Sequence, residues 1–311
     1  MKQWLVTGGA GFIGSHLVRK LVNSGDSVVV MDNLTSGSTD NLLNCDNTKL
    51  VAATVCDAEQ CLNLAHDCDG IFHLAARVSV PDCIDNWLEG HADNAVGAIN
   101  IFSAASELDI PVVYASSAAV YGNQGNHACH EKMQLMPISP YGADKLACEH
   151  QASAFYCVKS LASIGLRFFN VYGPRQDPRS PYAGVISKFA SNMLNNQPHT
   201  VFGDGFQSRD FVYVDDVVNG LVKAMNILTE NQPICDVADI CTGKSVTLLE
   251  IIEVMSAFSD AGSKENVFLA ERAGDIRYSL GSPVHMRSLL NLDVMTDVNA
   301  GLGHYLESLH S

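Results

Sequence analysis

The chain has 311 residues, 47% of them hydrophobic, enough to bury a large core as two domains or as one domain with a smaller lobe. A formal net charge of −15 argues against nucleic acid as a partner, and any anionic ligand would need positive charge gathered locally. No stretch approaches the roughly 20 apolar residues of a membrane span, so no membrane partner is expected.

Residues 4–17 read WLVTGGAGFIGSHL. A strand ends at Val6, a glycine turn follows, and a helix starts near Phe12. Gly8, Gly11 and Gly14 fit T-G-x-x-G-x-x-G, and Gly9, Gly11 and Gly14 fit G-x-G-x-x-G. Such glycines permit a tight turn, close approach to a pyrophosphate and close helix–strand packing. The helix N-terminus, at Phe12 and Ile13, then faces the phosphates. Along the helix, Ile13, Leu17, Val18, Leu21 and Val22 share one face.

Further apolar runs at Val28–Val30, Ile71–Phe72 and Val112–Tyr114 alternate with helical patterns. That alternation predicts an α/β fold, a Rossmann-type doubly wound parallel sheet covered on both faces. Asp32 closes the second strand, where an acid can accept hydrogen bonds from both ribose hydroxyls and repel a 2′-phosphate. No Lys or Arg stands between Asp32 and Thr48, so NAD is expected rather than NADP.

Residues 112–122 read VVYASSAAVYG and residues 139–149 read SPYGADKLACE. Tyr141 and Lys145 are four apart and lie on one helix face. A phenol is a poor base near neutrality, and a nearby ammonium favours its phenolate. Ser117 ends the preceding strand, where its hydroxyl can reach the same sugar oxygen. After about residue 170, Pro174, Pro178, Pro181 and Pro198 break the pattern. Residues 1–170 are therefore read as the dinucleotide-binding domain and 171–311 as a smaller mixed α/β substrate lobe, with later segments crossing back.

These motifs, together with HLAA (73–76), RFFNVYGPRQDP (167–178), GDGFQSRDFVYVDDV (203–217) and RAGDIRYS (272–279), resemble those of extended short-chain dehydrogenases, in the nucleotide-sugar epimerase branch. The resemblance covers nearly the whole chain. It implies a catalytic trio of Ser117, Tyr141 and Lys145. It adds Asn33, Asp57 at the adenine, Ala75 and Asn94 to the cofactor site. It implies that Asn170, Arg209 and Arg272 meet the substrate diphosphate or sugar, and that Asp275 meets a ribose. Guanidinium forks suit phosphate oxygens and would supply the local positive charge. Uridine as the base and a homodimer built on helices near 91–107 and 141–158 are likewise implied.

Enzymes of this kind begin alike: Tyr141 would take the 4-hydroxyl proton while hydride passes to NAD. Dehydratases carry Asp-Glu directly after the catalytic hydroxyl residue, and decarboxylases a Glu at the second of those positions. Here Ala118 and Ala119 stand there, and neither can move a proton. The expectation is that hydride returns to the opposite face and inverts C4. A UDP-uronic acid 4-epimerase, a dehydratase, a decarboxylase and a 4-keto reductase are the rival enzymes, and a non-catalytic NAD sensor is the rival class. Epimerases restricted to non-acetylated sugars place a tyrosine where this chain has Ser279. With Gly184 also small and Gln176 able to bond an acetamido group, UDP-GlcNAc/UDP-GalNAc interconversion is predicted, with UDP-Glc/UDP-Gal also accepted. Val78 departs from that branch's frequent glycine.

Ten scattered cysteines form no C-x-x-C pair, and the eleven histidines do not cluster, so no metal site is expected. His127 and His130 read as a polar loop, and Asp215 and Asp216 as helix N-terminal acids. With residues 1–7 running straight into a strand instead of a signal peptide, a reducing cytoplasm is expected.

Overall fold

Runs of Val, Ile and Leu with no polar alternation form strands only where both sheet faces are covered. Such runs build the middle of a six-strand parallel array in the computed structural model, which describes residues 1–178, 184–230, 233–258, 265–271, 276–292 and 295–309, while the edge strand Thr48–Ala52 is only partly covered. The six strands are β1 (Gln3–Thr7), β2 (Ser27–Asp32), β3 (Thr48–Ala52), β4 (Gly70–His73), β5 (Val112–Ser117) and β6 (Ser163–Phe168). With Cys235–Ile240 at one edge, the sheet order is Cys235–Ile240, β6, β5, β4, β1, β2, β3. The β1–β2, β1–β4, β2–β3, β4–β5 and β5–β6 pairs are all parallel. Leu5, Val6, Ile71, Phe72, Val112 and Ile164 are fully buried, each stabilising the fold by about 1.5–3 kcal/mol relative to exposure. The order reverses between β1 and β4, the switch point where such sheets take ligands.

The helices that belong with this sheet include α1 (Phe12–Asn23), α2 (Ala58–Ala65), α3 (Val80–Asp85), α4 (Trp87–His91), α5 (Gly97–Leu108), α6 (Pro140–Lys159) and most of Val214–Glu230. In α1 the buried face is Gly14, Ser15, Leu17, Val18 and Leu21, while Ile13 and Val22 are only half-buried. The single helix expected over 91–107 is broken by a π turn at Ala92–Val96. That turn carries Asn94, which is buried and bonded to the loop after β4.

The chain divides into two units. The first holds Met1–Gly122, Gln134–Phe168 and Val217–Ala238, and the second holds Asn123–Met133, Phe169–Asp216 and Asp239–Ser311. The sequence division at 170/171 had kept 123–133 with the sheet. Two backbone bonds and one to a side chain explain why this loop goes with the second unit. Cys129 N donates to Leu280 O at 2.8 Å, Ser282 N to Cys129 O at 2.8 Å, and Asp239 N to the Glu131 carboxylate at 2.9 Å.

The second unit has its own core, with Tyr172, Phe189, Ile251, Met255, Leu302 and Tyr305 buried together. Its strands are short. Asn170–Tyr172 pairs with Phe211–Tyr213, Ser208–Arg209 with Val246–Thr247, and Thr200–Phe202 with Val267–Leu269. Helix Leu248–Ser256 starts at a capping box of Thr247 and Glu250. Asp215 and Asp216 fall in the first turn of helix Val214–Glu230, and Asp216 also accepts from Thr296 N at 2.7 Å.

Candidate active site

The glycine turn sits at the end of β1. Gly8 has φ +69°, a conformation that favours glycine. A Cβ there would lie 2.7 Å from Ala75 N, so β1 and the chain leaving β4 could not approach as they do. Gly11 N donates to Gly8 O at 3.1 Å, and α1 begins with no side-chain cap. A Cβ on Gly14 would overlap the Gly8 carbonyl oxygen. Bare backbone, an uncapped helix N-terminus and missing Cβ atoms form a cradle for a pyrophosphate.

Asp32 is buried at the end of β2. Its carboxylate accepts from Ala10 N at 3.0 Å and Leu34 N at 2.8 Å, which orients it and leaves lone pairs for two ribose hydroxyls. Asn33 accepts from Thr35 N at 3.1 Å in an Asx turn. Asp57 caps α2 by accepting from Gln60 N at 3.1 Å. Asn94 accepts from Arg77 N at 2.8 Å and donates to Arg77 O at 3.1 Å, so this side chain acts by holding the loop after Ala75.

Sequence reasoning missed the anchor beneath the cradle. The Thr7 oxygen accepts from Leu74 N and Ala75 N, both at 3.2 Å, and its hydroxyl faces His73 Nδ1 at 2.8 Å. With its acceptor capacity used, Thr7 donates to Nδ1, which makes His73 the neutral Nε2–H tautomer. Burial first, and the nearby Lys145 charge second, push His73 down to about 3 from 6.5. Between those values the unfolded chain binds a proton that the folded chain does not, so stability falls as pH drops from 6.5 towards 3. The full loss would be on the order of 5 kcal/mol. Unfolding measured against pH should show a steeper acid limb for the native chain than for His73→Gln; equal slopes would refute the assignment.

The trio comes together around the end of β5. Ser117 Oγ accepts from Ala119 N at 3.1 Å and caps a short 3₁₀ turn, Ala118–Tyr121. Helix α6 starts at Ser139, which accepts from Gly142 N at 3.1 Å, with Pro140 at its first turn. Tyr141 therefore projects from the first turn. Gly142 was missed as well: a Cβ there would lie 2.7 Å from Ala119 O, so glycine lets α6 approach the Ser117 turn. Lys145 is buried, donates to Ala115 O at 2.9 Å, and holds its ammonium 5.8 Å from the Tyr141 ring centroid.

In the second unit, Gln176 donates to Val171 O at 3.3 Å while its Oε1 is buried without a partner among the described residues. Gly184 packs on it, since a Cβ there would lie 2.9 Å from Gln176 Nε2. Asn170 is exposed at the start of its strand. Arg209 donates to Ser208 O at 2.9 Å, and Ser279 N donates to the same carbonyl at 3.1 Å, so Arg209 and Ser279 share one strand edge. Asp210, passed over in the sequence, is fully buried and accepts from Thr242 N, Thr242 Oγ1, Gly243 N and Gly281 N. Its place inside the SRDF run was the available signal. Arg272 and Asp275 lie outside the described residues. Among the described residues no helix is long and apolar enough to cross a membrane, and no group of three or more His, Cys, Asp or Glu could hold a metal ion.

A glycine cradle at the switch point, an acid at the end of β2 and a Ser/Tyr/Lys trio at the end of β5 define a dinucleotide-dependent α/β enzyme acting on a hydroxyl or carbonyl carbon. Residues 4–237 match the NAD dependent epimerase/dehydratase family, and the chain belongs to it, in its nucleotide-sugar epimerase branch. The chain is 34% identical over 309 residues to the UDP-glucose 4-epimerase of Mycolicibacterium smegmatis, covering 97% of each. It superposes with TM-score 0.92 and 34% identity on the UDP-N-acetylglucosamine 4-epimerase of Methanobrevibacter ruminantium in complex with UDP-N-acetylmuramic acid, over 99% of this chain and 98% of that one. A UDP-glucose 4-epimerase of Thermotoga maritima with UDP-glucose gives TM-score 0.93 at 33% identity, with the same coverage.

Proposed function

We propose that the chain is a UDP-hexose 4-epimerase that interconverts UDP-GlcNAc and UDP-GalNAc and also accepts UDP-Glc and UDP-Gal, working as a homodimer. The observation that carries the reaction type is the turn after Ser117. Ala118 and Ala119 fill the positions where elimination or decarboxylation would need an acid or base. With no acid or base at either position, the simplest fate of the oxidised sugar is the return of hydride.

NAD, held by Gly8, Gly11, Phe12, Ile13, Gly14, Asp32 and Asn33, supplies the reversible hydride acceptor when bound. The chain supplies the proton chemistry. Tyr141 accepts the 4-hydroxyl proton and later returns it. Lys145 stabilises the phenolate, and its bond to Ala115 O keeps the ammonium beside the ring without blocking the hydroxyl. Ser117 bonds the same sugar oxygen and orients it. Asn170, Arg209 and Arg272 bind the diphosphate and sugar, and Asp275 binds the uridine ribose.

The acetamido preference rests on Ser279 and on the Gln176–Gly184 contact. Ser279 leaves room that a tyrosine would fill, and Gln176 Oε1, without a partner among the described residues, is an acceptor for an acetamido N–H. A relative in complex with UDP-N-acetylmuramic acid, itself a 2-acetamido sugar, supports the same reading. The purified protein, given UDP-GlcNAc or UDP-Glc without added reductant, should yield UDP-GalNAc and UDP-Gal. UDP-Gal alone would refute the acetamido claim, and no change in either sugar would refute the hexose epimerase reading in favour of a uronic acid substrate. Ser279→Tyr should cut turnover of UDP-GlcNAc by roughly 10²-fold while sparing UDP-Glc. Equal loss on both sugars would count against the pocket.

A further inference from the structure

Behind the trio lies a buried charged network that makes no contact with the proposed reacting atoms. Glu149 is one turn beyond Lys145 and two beyond Tyr141, on the same stripe of α6. Its carboxylate takes both arms of Arg167, from Nε at 2.9 Å to Oε1 and from Nη2 at 2.7 Å to Oε2. The Ser116 hydroxyl donates to Oε1 at 2.5 Å. Arg167 Nη1 donates to the Tyr121 hydroxyl at 2.8 Å, and the guanidinium stacks 4.9 Å above the Tyr121 ring. Arg167 is 3% exposed, Glu149 8%, and Ser116 and Tyr121 1% each, so all four are shut away from water.

Stability alone does not account for such a pair. Desolvating two charges costs several kcal/mol each, and apolar residues of similar volume often serve as well or better. What apolar packing cannot supply is a fixed register. A bidentate guanidinium–carboxylate pair admits one geometry, whereas methylenes slide. The places it fixes are specific. Ser116 is the residue before Ser117, and Tyr121 closes the 3₁₀ turn that Ser117 caps. Lys145 is tied to Ala115 and Glu149 to Ser116. Helix α6 is thus pinned to two successive residues of β5, immediately before Ser117, whose own hydroxyl caps the turn that follows.

We propose that Glu149 and Arg167 are positioning residues that set the placement of Ser117 against Tyr141 and Lys145, by clamping α6 to the end of β5 and to the turn at Tyr121. The inference rests on reading those three residues as the reacting groups. Removing the clamp should leave cofactor and substrate binding intact and lower turnover, because a shift of about 1 Å in reacting groups can cost 10²-fold.

The decisive variant is Glu149→Met/Arg167→Met in the full-length protein, which removes both charges together and leaves no lone buried ion. The expected result is a folded protein with native NAD content and KM within about twofold of the native value, while kcat for UDP-sugar epimerisation falls about 10²-fold. A folded double variant with kcat within about threefold of native would overturn the proposal, since apolar packing would then place the trio equally well. Should the double variant fail to fold, Tyr121→Phe decides. It removes only the far end of the clamp, and kcat should fall about tenfold at unchanged KM. Unchanged kcat would overturn the proposal. Tyr141→Phe separates the two levels. An active Tyr141→Phe removes the trio assignment and the clamp's role with it, whereas an inert Tyr141→Phe beside an active double variant removes the clamp alone.

Discussion

Tyr141→Phe is expected to lower kcat by about 10³-fold while leaving the protein folded and its NAD in place. The structure separates these effects because among the described residues the Tyr141 contact is the Lys145 ammonium over its ring, not a hydrogen bond to its hydroxyl, so the loss of that hydroxyl deprives none of them of a bond. The ring is only half-buried, and phenylalanine keeps it. The Lys145 ammonium, 5.8 Å from the ring centroid, still meets an aromatic face and still donates to Ala115 O. Only the group that exchanges a proton with the sugar disappears. Epimerisation followed by product separation, together with the absorbance of bound cofactor, checks both halves. Turnover within tenfold of the native enzyme would remove Tyr141 from the proton-transfer role. Loss of cofactor along with turnover would mean that the hydroxyl serves binding instead.

How much of this site the sequence discloses depends on what each residue answers to. Gly8, Gly14, Asp32, Ser117 and Lys145 answer to local chemistry: a turn that admits no Cβ, an acid at a strand end, an ammonium one helical turn from a phenol. Such constraints act over a few residues and leave spaced patterns. Thr7 and His73 are 66 positions apart, and the bond between them follows only once β1 and β4 are known to be neighbours. Gly142 looks like any helix glycine until the Ala118–Tyr121 turn is seen against it. Glu149 and Arg167 each sit inside a legible motif, but nothing in either motif says that they meet.

The helices show the same limit. The apolar pattern over 91–107 carries a period near 3.6 throughout, so it cannot announce the π turn at Ala92–Val96. The extra residue in that turn is tied to Asn94, whose amide takes both backbone groups of Arg77. Asn94 therefore reaches the cofactor site through the loop it holds, and the π turn is a device for placing it. Similarly, Asp57 looks like an adenine contact by resemblance but spends one carboxylate oxygen capping α2.

Gly14→Ala should destabilise the first unit by about 3 kcal/mol or more and abolish NAD binding. Helix propensity predicts the reverse. Gly14 lies inside α1, and alanine is favoured over glycine in a helix by about 1 kcal/mol. The opposing effect is larger because the new methyl would overlap the Gly8 carbonyl oxygen and stand 2.8 Å from Gly9 Cα. Both neighbours are backbone, and neither can swing aside as a side chain would. Relief requires α1 to move away from the turn at the end of β1, which opens the phosphate cradle itself. Gly25→Ala is the matched control. Its φ is +89°, but a Cβ there meets nothing within 4 Å, so it carries only the backbone penalty of about 1–2 kcal/mol. Thermal unfolding of the two variants with and without added NAD separates strain from overlap. Gly25→Ala should unfold earlier yet gain stability from NAD as the native protein does, because it retains the site. Gly14→Ala should unfold earlier still and gain nothing. If Gly14→Ala is stabilised by NAD to the native extent, the close approach of α1 to the glycine turn is not what builds the cofactor site.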